Sequence, residues 1–118
     1  MNKLVSQYLE TALWSSTNDD GSPLDDDYSV NDIAPDTILQ AEFDRELLIA
    51  LCAEKNIDLS QFDSDQIGHD FWLTRNGHGA GFWDGDYPIP IGDQLTEISK
   101  TFGSTDPYVG DDGLIHFF

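Results

Sequence analysis

Apolar side chains recur at a helical period in three stretches of the chain and in alternation in two others. Leu4, Val5, Tyr8, Leu9, Ala12 and Leu13 form an i, i+1, i+4, i+5 stripe, which predicts an amphipathic helix ending near Trp14. The following SSTNDDGSP is a loop by composition. Ser29 with Asp32 three residues later gives a capping-box-like start for a short turn. Pro35 suits the first turn of a longer helix. Leu39, Phe43, Leu47, Ala50 and Leu51 are its expected core face, with Ile38 and Leu48 beside them. Lys55 and Asn56 make a C-terminus, since Asn tolerates a left-handed cap. The predicted range is 35–55.

From residue 69 the pattern shifts to alternation. HDFWLTRNGHGAGFWDGD reads as two strands about Asn76-Gly77, because type I′ turns need positive φ at both central residues. That register sets Arg75 opposite His78, Leu73 opposite Ala80, Phe71 opposite Phe82 and His69 opposite Asp84. Trp72 and Trp83 then share the other face. Pro88 and Pro90 exclude a central strand. A further helix follows, with Asp93 as a possible cap, Ile91, Leu95, Ile98 and Phe102 on one stripe, and Gly103 as its stop. The end reads as a second hairpin about Asp112-Gly113. The predicted class is α+β: helices packed on one face of a small antiparallel sheet built from two hairpins. A single domain spans 1–118. Residues 1–34 supply the N-terminal helix and acidic loop, and residues 35–118 the core helix, hairpin, helix and C-terminal hairpin.

Charge changes what such a domain can meet. Twenty-three acidic residues, eighteen of them Asp, face five Lys plus Arg, for a formal net charge of -18 over 118 residues. Five cations cannot neutralise the phosphates of a nucleic-acid site, so direct binding to nucleic acid or anionic lipid is not expected. No apolar run is long enough to span a membrane. The N-terminal MNKLVSQYLETALW lacks a signal-peptide core and cleavage site, so a cytoplasmic location is expected. Cys52 is the lone cysteine and lies in the apolar LLIALC, where it reads as a small buried hydrophobe. Three Trp, four Tyr and seven Phe are enough to found a core despite the charge.

The string DFWLTRNGHGAGFWD, residues 70–84, resembles the signature of a family of small proteins encoded by bacteriophages and other mobile elements. LTEISKTFG and YVGDDG are similar to further segments of that family. The resemblance implies a phage or mobile-element setting and no established activity.

Residues 19–46 concentrate the negative charge: ten acids, with Arg45 the one cation among them. Asp25, Asp26, Asp27, Asp32, Asp36, Glu42, Asp44 and Glu46 are the candidate binding face. They would imitate nucleic-acid charge and occupy the basic surface of a host nucleic-acid-handling or defence protein. The plainer alternative is a solvated face that keeps a small protein dissolved. Trp72, Arg75, His78 and Trp83 form the candidate hairpin contact, large aromatics with an arginine at the rim. A small metal-dependent enzyme using His69, His78 and Asp84 is the alternative, in which a carboxylate orients an imidazole or both ligate a divalent ion. No HExxH, paired CxxC or nucleophile elbow accompanies these residues. NGHGAG lies between predicted strands without a Lys, so it is no phosphate cradle. No cofactor is called for. A structural or virion accessory part is a third reading.

Overall fold

A computed structural model describes residues 2–78, 81–82 and 87–118. Four helices and one two-stranded sheet follow each other: α1 Lys3–Trp14, α2 Pro35–Glu54, α3 Ser64–Arg75, α4 Ile91–Lys100, β1 Pro107–Val109 and β2 Ile115–Phe117. Three single-turn 3-10 segments, Leu24–Asp26, Val30–Asp32 and Leu59–Gln61, fill the connections. The α+β class holds.

The first helix begins where Asn2 accepts a hydrogen bond from the Leu4 N–H at 2.8 Å, and its predicted stripe is buried. Ser29 and Asp32 form a full capping box. Asn56 takes the left-handed conformation (φ 60°) beyond α2, and the Ile57 N–H returns to the Cys52 carbonyl at 2.9 Å.

The hairpin expected around Asn76-Gly77 is replaced by helix on its first arm. Residues 64–75 are α-helical, so Arg75, Leu73, Phe71 and His69 have no strand register. Two local caps favour the helix, and a close approach to α1 accounts for the glycine within it. Asp63 caps it, accepting from the Asp65 N–H at 2.9 Å. Asn76 is its C-cap, and Gly77, at φ 72°, is the left-handed residue that closes it. Gly68 lies against α1, where a Cβ would run into the Leu4 carbonyl and approach the Tyr8 nitrogen to 3.0 Å. Among the described residues the sheet is the C-terminal hairpin, with Pro107 opposite Phe117, Tyr108 opposite His116 and Val109 opposite Ile115. Ile115 also bridges Ile33, and the Ala34 N–H donates to its carbonyl at 2.9 Å, which ties the hairpin to the entry of α2.

The core runs between α1 and α3. Tyr8 packs on Phe71 and edge-on against Trp72, with ring centroids 5.2 and 5.3 Å apart. Leu9, Leu13, Leu48, Ile67, Leu95 and Ile115 complete it. Phe82 is buried too, its N–H donating to Thr74 Oγ1 at 3.1 Å. The second helix turns an unexpected face inward. Thr37, Ala41, Asp44, Leu48 and Cys52 are buried, whereas Leu39, Phe43 and Leu47 stand 64, 64 and 40 % exposed and Ala50 is exposed as well. Leu39, Phe43, Leu47 and Ala50 of the expected core face thus point to solvent, whereas Leu51 and the neighbouring Ile38 pack partly buried against the core and Leu48 lies within it.

Candidate functional site

The eight candidate carboxylates separate by burial. Asp25 and Asp26 are exposed on the turn Leu24–Asp26, which buried Leu24 pins to the core. Asp27 is exposed at its end. Asp36, Glu42 and Glu46 are exposed along α2. Asp36 stands in the first turn, where the helix dipole favours an anion. Glu46 pairs with Arg45 at 2.6 Å. Two of the eight are used internally. Asp32 is half-buried and accepts from the Ser29 N–H at 2.8 Å. Asp44 is buried, and its carboxylate receives Gln40 Nε2 at 2.9 Å and Arg75 Nη1 at 3.0 Å.

The expected hairpin contact is overturned at two of its four residues. Trp72 is 1 % exposed, and its indole N–H donates to Ser15 Oγ at 3.0 Å. The Arg75 side chain is only 7 % exposed. Its Nε donates to the Gly103 carbonyl at 2.8 Å, Nη1 to Tyr8 Oη and Asp44, and Nη2 to the Phe102 carbonyl at 3.0 Å. Its guanidinium carbon also lies 5.8 and 5.5 Å from the Phe71 and Phe102 ring centres. Arginine's planar fork suits such multiple bonding, and here it joins α1, α2, α3 and the end of α4. Burial pushes the Tyr8 hydroxyl up to about 12, against the opposing pull of the Arg75 charge. His78 is exposed, with its N–H on the Leu73 carbonyl at 3.0 Å. Trp83 lies outside the described residues.

Among the histidines, His69 is oriented by its chain neighbour Asp70. Its Nδ1 is 2.8 Å from Asp70 Oδ1, and its ring stacks on Trp14 at 5.7 Å. Asp70 is buried and takes the Tyr87 hydroxyl at 2.7 Å on its other oxygen. A carboxylate on Nδ1 leaves Nε2 as the basic or ligating nitrogen. Asp84, the partner expected from the hairpin register, lies outside the described residues. Among the described residues no group of three or more His, Cys, Asp and Glu is placed to hold a metal ion. His116 lies 3.0 Å from both Asp112 carboxylate oxygens at the hairpin tip, and the Leu114 N–H, followed by His116, holds that exposed carboxyl below its ordinary range.

A cleft of about 540 Å³ opens between α2 and the C-terminal hairpin, with Asp36, Gln40, Tyr108, His116 and Phe118 on its walls. The Asp44–Arg75 pair lies on its lining, already committed to internal bonds. Sequence reasoning missed the outward apolar row of α2. Its signal was present: apolar residues occur on two opposite sides of that helix. Among the described residues no helix is long and apolar enough to cross a membrane. No protein-family model, curated protein or solved structure matches the chain.

Proposed function

We propose that the chain is a non-enzymatic, acidic interaction protein of a phage or mobile-element setting. It binds the basic surface of a host nucleic-acid-handling or defence protein, with its carboxylates standing in for phosphates. The observation that carries this reading is that Asp25, Asp26, Asp27, Asp36, Glu42 and Glu46 are exposed on, or directly beside, ordered turns and a helix. Charges held on rigid elements can be matched by a partner, whereas charges on a loose segment only dissolve it. Glu42 and Glu46 are one helical turn apart, about 6 Å along the axis. With a net charge of -18, association would be steered at long range and weaken steeply with salt.

The test uses the whole chain as bait for host proteins at low salt. A nucleic-acid-binding protein should be retained, released by added salt and displaced by duplex DNA. Asp25→Asn, Asp26→Asn and Asp27→Asn together should lower retention several-fold and flatten its salt dependence. Unchanged retention and slope in the triple variant would overturn the reading.

One observation favours a second reading, a small metal-dependent enzyme: the buried Asp70 that fixes His69 and is itself held by Tyr87. Metal-ligating histidines carry such a carboxylate behind them. Zinc titration followed by His69 and His78 imidazole resonances decides it, because a site there shifts both and His69→Ala removes the response.

A further inference from the structure

The outward face of α2 is the feature that neither the core nor the charge explains. At about 100° per residue, Leu39, Phe43, Leu47 and Ala50 fall within one 80° sector. That sector is centred roughly 140° from the buried residues Thr37, Ala41, Asp44, Leu48 and Cys52. The four span about 16 Å of helix, three turns. Single exposed apolar residues are ordinary, but a contiguous row marks a contact surface. Its surroundings are anionic. Glu46 and Glu42 run along one edge, and Asp36 and Glu54 stand at its two ends, all four exposed. Beside Phe43 the row continues into a depression of about 410 Å³ that reaches Asn2 and Val5 at the start of α1.

We propose that this row receives the apolar face of a basic amphipathic helix from the partner protein. Phe43 and Leu47 would seat its apolar residues, and Glu42 would pair with its lysines or arginines. Glu46, already held to Arg45 at 2.6 Å, would have to exchange that partner or share its carboxylate. The inference rests on the interaction reading above and names the partner's recognised element. Charge selects the occupant. A second copy of this chain would bring its own net charge of -18 and set glutamates against glutamates. A cationic helix meets the apolar row and its acidic edge at once, the i, i+4 anchoring of helix-in-groove recognition.

The probe is a fluorescein-labelled amphipathic peptide of about 14 residues, four turns, with leucines on one face and lysines flanking them. A scrambled peptide of the same composition is the comparison. The amphipathic peptide should bind about tenfold more tightly, a difference of about 1.4 kcal/mol. Phe43→Ser with Leu47→Ser should abolish that preference while keeping the circular dichroism of the folded protein and lowering the thermal midpoint by no more than a few degrees, since both side chains are largely exposed and the helix loses mainly propensity. Glu42→Gln with Glu46→Gln should weaken binding and flatten its salt dependence. Equal binding of the two peptides, or a preference that survives Phe43→Ser with Leu47→Ser, would overturn the proposal. So would a dimer at high salt that Phe43→Ser dissolves, because it gives the row to a second copy. Each of these failures leaves the Asp25–Asp27 retention result standing, so the two ideas fall separately.

Discussion

Arg75 Nη1 donates to the buried carboxylate of Asp44 across 3.0 Å, joining the last residue of α3 to the middle of α2. The pair replaces two roles expected from sequence, a rim contact and a surface anion, with one internal fastening. The remaining Arg75 bonds go to Tyr8 and to the carbonyls of Phe102 and Gly103, so the guanidinium closes the end of α4 as well.

Removing both members of this pair should cost less than the two single removals added together. Arg75→Ala leaves Asp44 buried without a counter-charge, for which we expect a loss of about 3–5 kcal/mol in denaturant unfolding. Asp44→Ala combined with Arg75→Ala should be less destabilised than the sum of the single changes. Additive losses would show that the two charges do not communicate.

Gly68 makes a similar demand on α1. A methyl group there meets the Leu4 carbonyl, a backbone atom that cannot swing aside. Gly68→Ala should therefore destabilise by about 1–3 kcal/mol although alanine is the better helix former. A stabilised Gly68→Ala protein, measured by thermal unfolding, would mean that α1 and α3 lie further apart.

Tyr8 and Cys52 predict an alkaline limb of stability. Burial raises Tyr8 to about 12 and Cys52 to about 11, above their ordinary 10 and 9. Both groups thus lose their protons more readily in the unfolded chain. Their contribution is complete below pH 9 and falls as pH rises through the window from about 9 to 12. For Tyr8 alone the loss is about 2–3 kcal/mol at 1.36 kcal/mol per unit. Tyr8→Phe should flatten the part of the limb above pH 10 and, at neutral pH, remove the bond from Arg75 for about 1 kcal/mol. An unaltered alkaline limb in Tyr8→Phe would place the titration elsewhere.

Sequence pattern located most elements because their signals were local. The capping pair Ser29–Asp32, Pro35 at the start of α2, Gly103 after α4 and Asp112-Gly113 in the hairpin each act within a few residues. The third helix was hidden for a physical reason. Ile67, Gly68, Asp70, Phe71, Trp72, Leu73 and Thr74 are all buried, so α3 has no polar stripe to betray a period near 3.6. Asn76-Gly77 compounds this, because the same dipeptide closes a helix as readily as it turns a hairpin. The legible cue was Asp63 followed by Gln66 three residues later, an acidic variant of the capping pattern. On α2 the apolar residues Leu39, Phe43 and Leu47 were assigned to the core, but the helix packs through Ala41, Leu48 and Cys52, so that stripe was turned the wrong way. Among the candidate carboxylates, exposure was legible for those on turns and helix edges. Of the two exceptions, Asp32 is drawn in by its own capping box, whereas Asp44 depended on an arginine 31 residues away, which no local pattern reveals.

Asn76 and Phe82, beyond the end of α3, are each fastened to the fold. Asn76 Nδ2 holds the Trp72 carbonyl and Asn76 Oδ1 receives the Thr105 N–H, while Phe82 is bound to Thr74. A label or affinity tag spliced between residues 76 and 82 would pull against those anchors. The turn at Asp19–Gly21 offers the better insertion point for engineering. Its closing bonds, the Thr17–Pro23 bridge and the Asn18 N–H on the Ser22 carbonyl at 2.8 Å, lie within the turn itself, and the surroundings of Gly21 are open. Extra residues there lengthen an exposed turn, at an entropic penalty that grows only slowly with loop length.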